Sequence, residues 1–324
     1  MRDILQSDKD RGYPTEYLLA RLMGRRTRFL KNWDDIIVSP EPLAILSQPP
    51  FGEFFARHSL DGAWKWALAE YGWVYRQMNA ELRECFMPLF LYLELQTLIR
   101  CLRHKIRQTQ EHTIKILLSN SLLSNRIKGI VTKETDVPAI LKQFNRKIFH
   151  GLVTSVPLPD VYAKKGLGGL EQELTAGILK KIMSSKLRAV VRKFFIYLID
   201  AKNIVAAQKR LRWNMPAESS FIRGGSVRES FLRSILRNSG LSGLHQFAVR
   251  KAGILPQGES YDSLEIILHA GLYKQVRIMA GDCSATGLLL HYLWSIYVQA
   301  HNLSIIQYGR GIDRDILRRE LIIL

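Results

Sequence analysis

The chain has 324 residues, 47% of them hydrophobic and 23% charged, a balance that argues against a largely disordered polypeptide and leaves room for two or three domains. Its charge is lopsided: 47 Lys and Arg stand against 29 Asp and Glu, a net +18, which speaks to anionic partners (nucleic acid, a membrane surface, an acidic protein) and not to fold. The cysteines Cys85, Cys101 and Cys283 form no C-x-x-C, which argues against a disulfide framework or zinc ribbon and fits a reducing compartment.

The first ten residues lack the apolar run of a secretory leader, so none is expected. Ser39 before Pro40-Glu41-Pro42 predicts a helix start with proline in its first turn, and Pro49-Pro50 extends that loop region. Thr135-Asp136 before Pro138 predicts a second such start. The β-branched run at 152–156 is too short to build a sheet. Pro157, Pro159, Gly166, Gly168 and Gly169 predict another loop region. From Leu179 to Arg212 apolar residues recur every three or four positions with basic residues between them, predicting one long amphipathic helix. Asn214-Met215-Pro216, Gly224-Gly225, and Gly253 with Pro256 and Gly258 predict further breaks. Between Cys283 and Gly309 there is no Asp, Glu, Lys or Arg, and about 20 helical residues suffice to cross a bilayer. His291, Ser295, Gln299, His301, Asn302 and Ser304 would be costly in hydrocarbon, so this stretch predicts a buried core helix. The chain reads as all-α.

One short phrase occurs three times, about a third of the chain apart. It runs Glu94-Leu95-Gln96-Thr97-Leu98, Asp200-Ala201-Lys202-Asn203-Ile204 and Gln299-Ala300-His301-Asn302-Leu303, each time after an aromatic-aliphatic run. A period this long exceeds the roughly 20–50 residues of solenoid repeats. It predicts three similar helical lobes with pseudo-threefold symmetry: residues 1–135 (an N-terminal helix and the first lobe), 136–224 and 225–324. After each copy a turn and a new amphipathic helix are expected, at 136–141, 225–232 and 311–318.

Catalytic signatures are scarce. Gly166-Leu167-Gly168-Gly169 lacks the spacing of a dinucleotide fingerprint, no phosphate loop or H-E-x-x-H occurs, and the eight histidines are scattered. No cofactor, metal or active site is expected. Asp200 and Asn203 share a helix face, and two readings apply: Asp200 as a general base, or the pair as a structural anchor. Recurrence favours the anchor, because Gln299 cannot act as a base but can still accept a hydrogen bond. Glu94, Thr97, Asp200, Asn203, Gln299 and Asn302 are therefore assigned structural roles. Basic clusters supply candidate contacts: Arg25, Arg26 and Arg28; Arg103, Lys105 and Arg107; Lys209, Arg210 and Arg212; and the pair Arg318-Arg319. Pairing with exposed aromatics would suit nucleic acid, yet Phe194, Tyr197 and Trp294 fall on apolar faces. The helix macrodipole alone favours cations at a helix C-terminus.

These residues carry a family resemblance. Asp200-x-x-Asn203-Ile204 with Arg210 and Arg212, then Phe221-Ile222-Arg223-Gly224-Gly225, resembles the C-type central-stalk component of the V/A-type rotary ATPases, called the d-type component in eukaryotic vacuolar enzymes. Tyr13-x-x-x-Tyr17-x-x-Ala20-Arg21 with Arg28 and Leu30 is similar to that family's opening helix, and Leu170-Glu171 and Asn302-Leu303 to its later parts. The family carries an acidic residue where Gln299 stands, and an Asp where Thr175 stands. The resemblance implies a funnel of three helical lobes, without an active site or cofactor. It implies a place on the cytoplasmic face of a membrane, coupling the proteolipid ring to the central shaft subunits, with basic residues facing ring loops, anionic lipid or acidic shaft residues. A nucleic-acid partner is not expected on that reading; the alternative is a basic helical nucleic-acid-binding adaptor.

Overall fold

Helix starts follow local chemistry. Asp136 accepts from the Ala139 amide at 2.7 Å, with Pro138 in the first turn where its missing N–H costs nothing. Asn79 and Ser284 cap two longer helices by accepting from Leu82 at 2.9 Å and Gly287 at 3.1 Å. The structure, a computed structural model, describes residues 4–39, 44, 46–55, 61–108, 111–148, 156–213, 221–238, 240–254, 263–309 and 311–323. In chain order the helices are α1 Thr15–Arg26, α2 Trp33–Val38, α3 Gly52–Phe55, α4 Gly62–Gln77, α5 Ala80–Ile106, α6 Glu111–Asn120, α7 Asn125–Lys133 and α8 Val137–Lys147. They continue as α9 Leu158–Met183, α10 Ala189–Arg212, α11 Glu229–Asn238, α12 Gly240–Ala252, α13 Leu264–Gly281, α14 Ala285–Tyr308 and α15 Arg314–Arg319. The fold is all-α; among the described residues the strand-like pairing is one antiparallel bridge, Leu5 with Leu123.

Two sequence expectations need correction. The helix expected over 179–212 is broken between Met183 and Ala189. Ser184 and Ser185 donate their hydroxyls to the carbonyls of Lys181 and Ile182, at 2.8 and 2.6 Å, and so compete with the helical ladder. The loop expected around Pro157 to Gly169 is instead the first half of α9, with Pro159 in its first turn. Gly166, at φ 64°, kinks it with a left-handed residue that glycine adopts without strain. The expected start at Pro40-Pro42, the run at 152–155, and the breaks at 214–216, Pro256 and Gly258 lie outside the described residues. Ser39 itself closes α2.

The chain forms two compact units. Met1–Thr15 with Ala67–Arg188 makes the first, and Glu16–Trp66 with Ala189–Leu324 the second. In the first, α5 packs on α6, α8 and α9 around Phe86, Phe90, Leu102, Phe144, Leu174 and Ile182, each at most 1% exposed. Among the described residues α5 is long and apolar enough to cross a membrane, but 78% of its most apolar window is buried inside the fold. The core of the second unit lies where α10, α13 and α14 meet. There Phe194, Leu268, Leu293, Trp294 and Leu303 are wholly buried, in keeping with the core helix expected between Cys283 and Gly309.

Arg83, on α5, secures the N-terminal segment of the first unit. Its guanidinium donates to the carbonyls of Asp8, Lys9 at 3.1 Å and Tyr75 at 3.0 Å, and lies 5.3 Å from the centre of the Tyr75 ring. Beside it, the Gln6 amide donates to Leu122 and the Ser124 amide to Ile4, both at 2.8 Å. Replacing Arg83→Met removes all the guanidinium donors while keeping bulk. It is expected to destabilise the fold by about 1–3 kcal/mol. Hydrogen exchange should show early loss of protection at Gln6 and Ser124; unchanged exchange would refute the anchoring role.

Candidate functional site

The thrice-occurring phrase marks one device: a buried polar side chain on a long helix that grips the backbone of a distant segment. The six residues assigned to it all lie on α5, α10 or α14, and all are buried. In the second unit, Asp200 is fully buried on α10. Its Oδ1 accepts the Val227 amide at 2.9 Å, and its Oδ2 accepts the Ser226 hydroxyl at 2.6 Å and the Lys251 ammonium at 2.7 Å. One turn on, Asn203 pairs with both backbone groups of Ile222, each at 2.8 Å. On α14, Asn302 makes the same two-bond pairing with Ile322, at 2.9 and 3.0 Å. Gln299 pairs with Leu30, accepting from its amide at 3.0 Å and donating to its carbonyl at 2.8 Å. In the first unit Glu94 accepts the Leu122 amide at 2.5 Å. The helix that follows its gripped segment is α7, not the 136–141 helix expected from sequence; in the second unit α11 stands in the corresponding place after Val227.

What lies opposite each side chain explains its identity. Asp200 faces three donors and no acceptor, which suits an acceptor-only carboxylate. Gln299 faces one donor and one acceptor, which an amide can match and an ionised carboxylate cannot. Glu94 meets Leu122 while its second oxygen, buried, bonds nothing. Gly225 is required beside Asp200, because a Cβ there would collide with Asp200 Oδ1.

Ser226, Lys251 and Asp200 also have the composition of a nucleophile, base and orienting acid, with Lys251 Nζ 2.8 Å from Ser226 Oγ. Their bonding opposes that use. The hydroxyl and the ammonium are both directed onto the buried carboxylate, so Asp200 holds three donors and serves as an anchor. Among the described residues no group of three His, Cys, Asp or Glu side chains could hold a metal ion.

The basic candidates divide. Arg26 and Arg28 are exposed and Arg25 half-buried at the end of α1. Arg103 is held by Glu171 through two 2.7 Å bonds, and Lys105 donates to the Glu134 carbonyl at 2.9 Å, while Arg107 is exposed. Lys209 and Arg212 are exposed on the last turn of α10. Arg210 is not an outward contact. It is 5% exposed and stacks 4.4 Å from the centre of the Phe221 ring, and burial, then Arg233, pulls its pKa below the ordinary arginine value. Arg83, Ser226 and Lys251 escaped the sequence reading, because no spacing links them to the segments they bind. No protein-family model matches the chain, and no curated protein matches it in sequence.

Two outcomes are expected. Asp200→Ala strands the Val227 amide and the Lys251 ammonium and should lower stability by about 1–3 kcal/mol; an unchanged urea midpoint would refute the anchor. Glu94 behaves oppositely. Burial raises its carboxyl to about 7, against smaller lowering by Leu122, Thr97 and Lys128. A folded value above the ordinary one lends stability that is fully present below about 4.5 and lost as pH rises through about 7. Glu94→Gln should therefore leave the protein more stable than wild type at pH 8, by up to about 3 kcal/mol at ~1.4 kcal/mol per unit. Melting curves from pH 4 to 8 would check this; parallel profiles for the two proteins would refute it.

Proposed function

We propose that this chain is a non-catalytic central-stalk coupling subunit of a V/A-type rotary ATPase that translocates protons or sodium ions. The observation that carries the reading is the recurrence of one gripping device on three long helices, at Glu94, at Asp200 with Asn203, and at Gln299 with Asn302. A protein made of three such helical lobes, over residues 1–135, 136–224 and 225–324 and set as a funnel about a pseudo-threefold axis, suits torque transfer. It can spread contact over several proteolipid subunits at one end and grip a shaft at the other. Rigidity follows from the grips, since each couples a buried helix to the backbone of another segment without relying on apolar packing alone. The net +18 suits ring loops, acidic shaft residues or anionic headgroups at the cytoplasmic membrane surface.

Affinity purification of the tagged chain from detergent-solubilised native membranes tests this reading. Proteolipid and shaft subunits are expected to co-purify, and ATP-driven ion pumping should fall on depletion of the chain and return on its addition. A rotary complex that stays intact and coupled without the chain would overturn it.

The alternative, a basic helical nucleic-acid adaptor, draws on one observation: Trp213 is 64% exposed next to Lys209 and Arg212. Glu265 and Glu320 line the same recess and would repel phosphates. Phe194, Tyr197 and Trp294 are buried and cannot stack on bases.

A further inference from the structure

Helices α11 and α12 of the second unit, with the segment just before α11, border an open surface cleft of about 630 Å³. Its floor is aromatic. Phe231 and Phe247 meet edge-on, with ring centres 4.9 Å apart, and Phe231 remains 42% exposed. Its rim is polar and one-signed. Arg228 and Lys251 line it with three serines, and among the described residues no carboxylate does. Arg228 is exposed and has no ion pair among the described residues. The Lys251 ammonium is committed inward: it bonds Asp200 and Ser226 and lies 5.4 Å from the centre of the Tyr197 ring.

The cleft is also held open in one shape. Ser226 and Val227 belong to one lip and Lys251 to the other, and all three bond the same buried carboxylate, Asp200. A partner would therefore not have to order these lips on binding, which lowers the entropic cost of docking. An aromatic pair with one ring exposed and the other half-buried, ringed by polar groups, is the arrangement of an interface anchor rather than of a surface left to water.

We propose that this cleft docks an acidic amphipathic segment of a partner protein. An aliphatic or aromatic side chain of that segment inserts against Phe231 and Phe247, and its carboxylates meet Arg228. Charge complementarity selects the partner's sign: Lys251 is neutralised by Asp200, which leaves Arg228 as the uncompensated charge lining the site among the described residues, on a chain of net +18. This docking does not depend on the rotary-ATPase reading, and its failure would leave that reading standing.

The test uses the full chain and three short fluorescein-labelled peptides, each with one phenylalanine, set among glutamates, glutamines or lysines. Anisotropy is measured at fixed ionic strength. The glutamate peptide should bind saturably, the glutamine peptide more weakly and the lysine peptide not at all. Arg228→Glu and Phe231→Ser should each weaken the glutamate peptide by roughly tenfold or more; both side chains are exposed, and melting curves verify that each variant folds. The proposal is overturned if the variants bind as wild type does, if all three peptides bind alike, or if no binding is seen at millimolar peptide. Displacement of the glutamate peptide by phosphatidylserine vesicles, with tighter binding to those vesicles than to the peptide, would assign the cleft to a membrane surface and overturn it equally.

Discussion

A single fully buried carboxylate organises much of the second unit. Removing the Asp200 charge from water is costly, and only the donors aimed at it make that burial tolerable. Those donors come from separate places: the Val227 amide and Ser226 hydroxyl ahead of α11, and the Lys251 ammonium near the end of α12. Neither segment can shift without exposing the charge to an apolar surrounding. The interaction thus specifies position more than it adds net stability. Asn203 extends the same logic by one turn, since its amide satisfies both polar groups of Ile222 as a neighbouring strand would.

The three variants of the device show how polar chemistry is fitted to its surroundings. Where donors converge, a carboxylate serves. Where an N–H and a C=O lie side by side, as at Leu30, Ile222 and Ile322, an amide serves. Glu94 is the outlier, with one amide to hold and one oxygen idle in a dry site. Its proton affinity rises because the charged form has too little to compensate its burial.

Much of this was legible in the sequence, and the remainder was hidden for physical reasons. Helical class followed from apolar spacing, and the buried polar residues announced themselves by recurring in one phrase. Their partners did not. Leu30, Leu122, Ile222 and Ile322 are gripped by their backbones, and a peptide group looks the same under any side chain. The break at Ser184 and Ser185 was masked by apolar residues that keep helical spacing on both sides of it. Gly166 and Pro159 read as a loop, although one marks a kink and the other an ordinary first turn. Arg210 stood in a basic run and was assigned outward with its neighbours; on a helix, adjacent residues point about 100° apart, and this one faces Phe221.

The pairing of Gln299 with Leu30 links positions 269 residues apart. On a ribosome adding about 5–20 residues each second, Leu30 is made roughly 13–54 s before its amide partner. Over that interval Phe29 can meet Trp66, 5.9 Å away in the finished fold, but lacks Tyr292, on which it finally stacks at 5.2 Å. The amino-terminal portion of the second unit must therefore wait as an unfinished, sticky intermediate. Biogenesis of this protein should lean on holding chaperones more heavily than its all-helical composition would suggest.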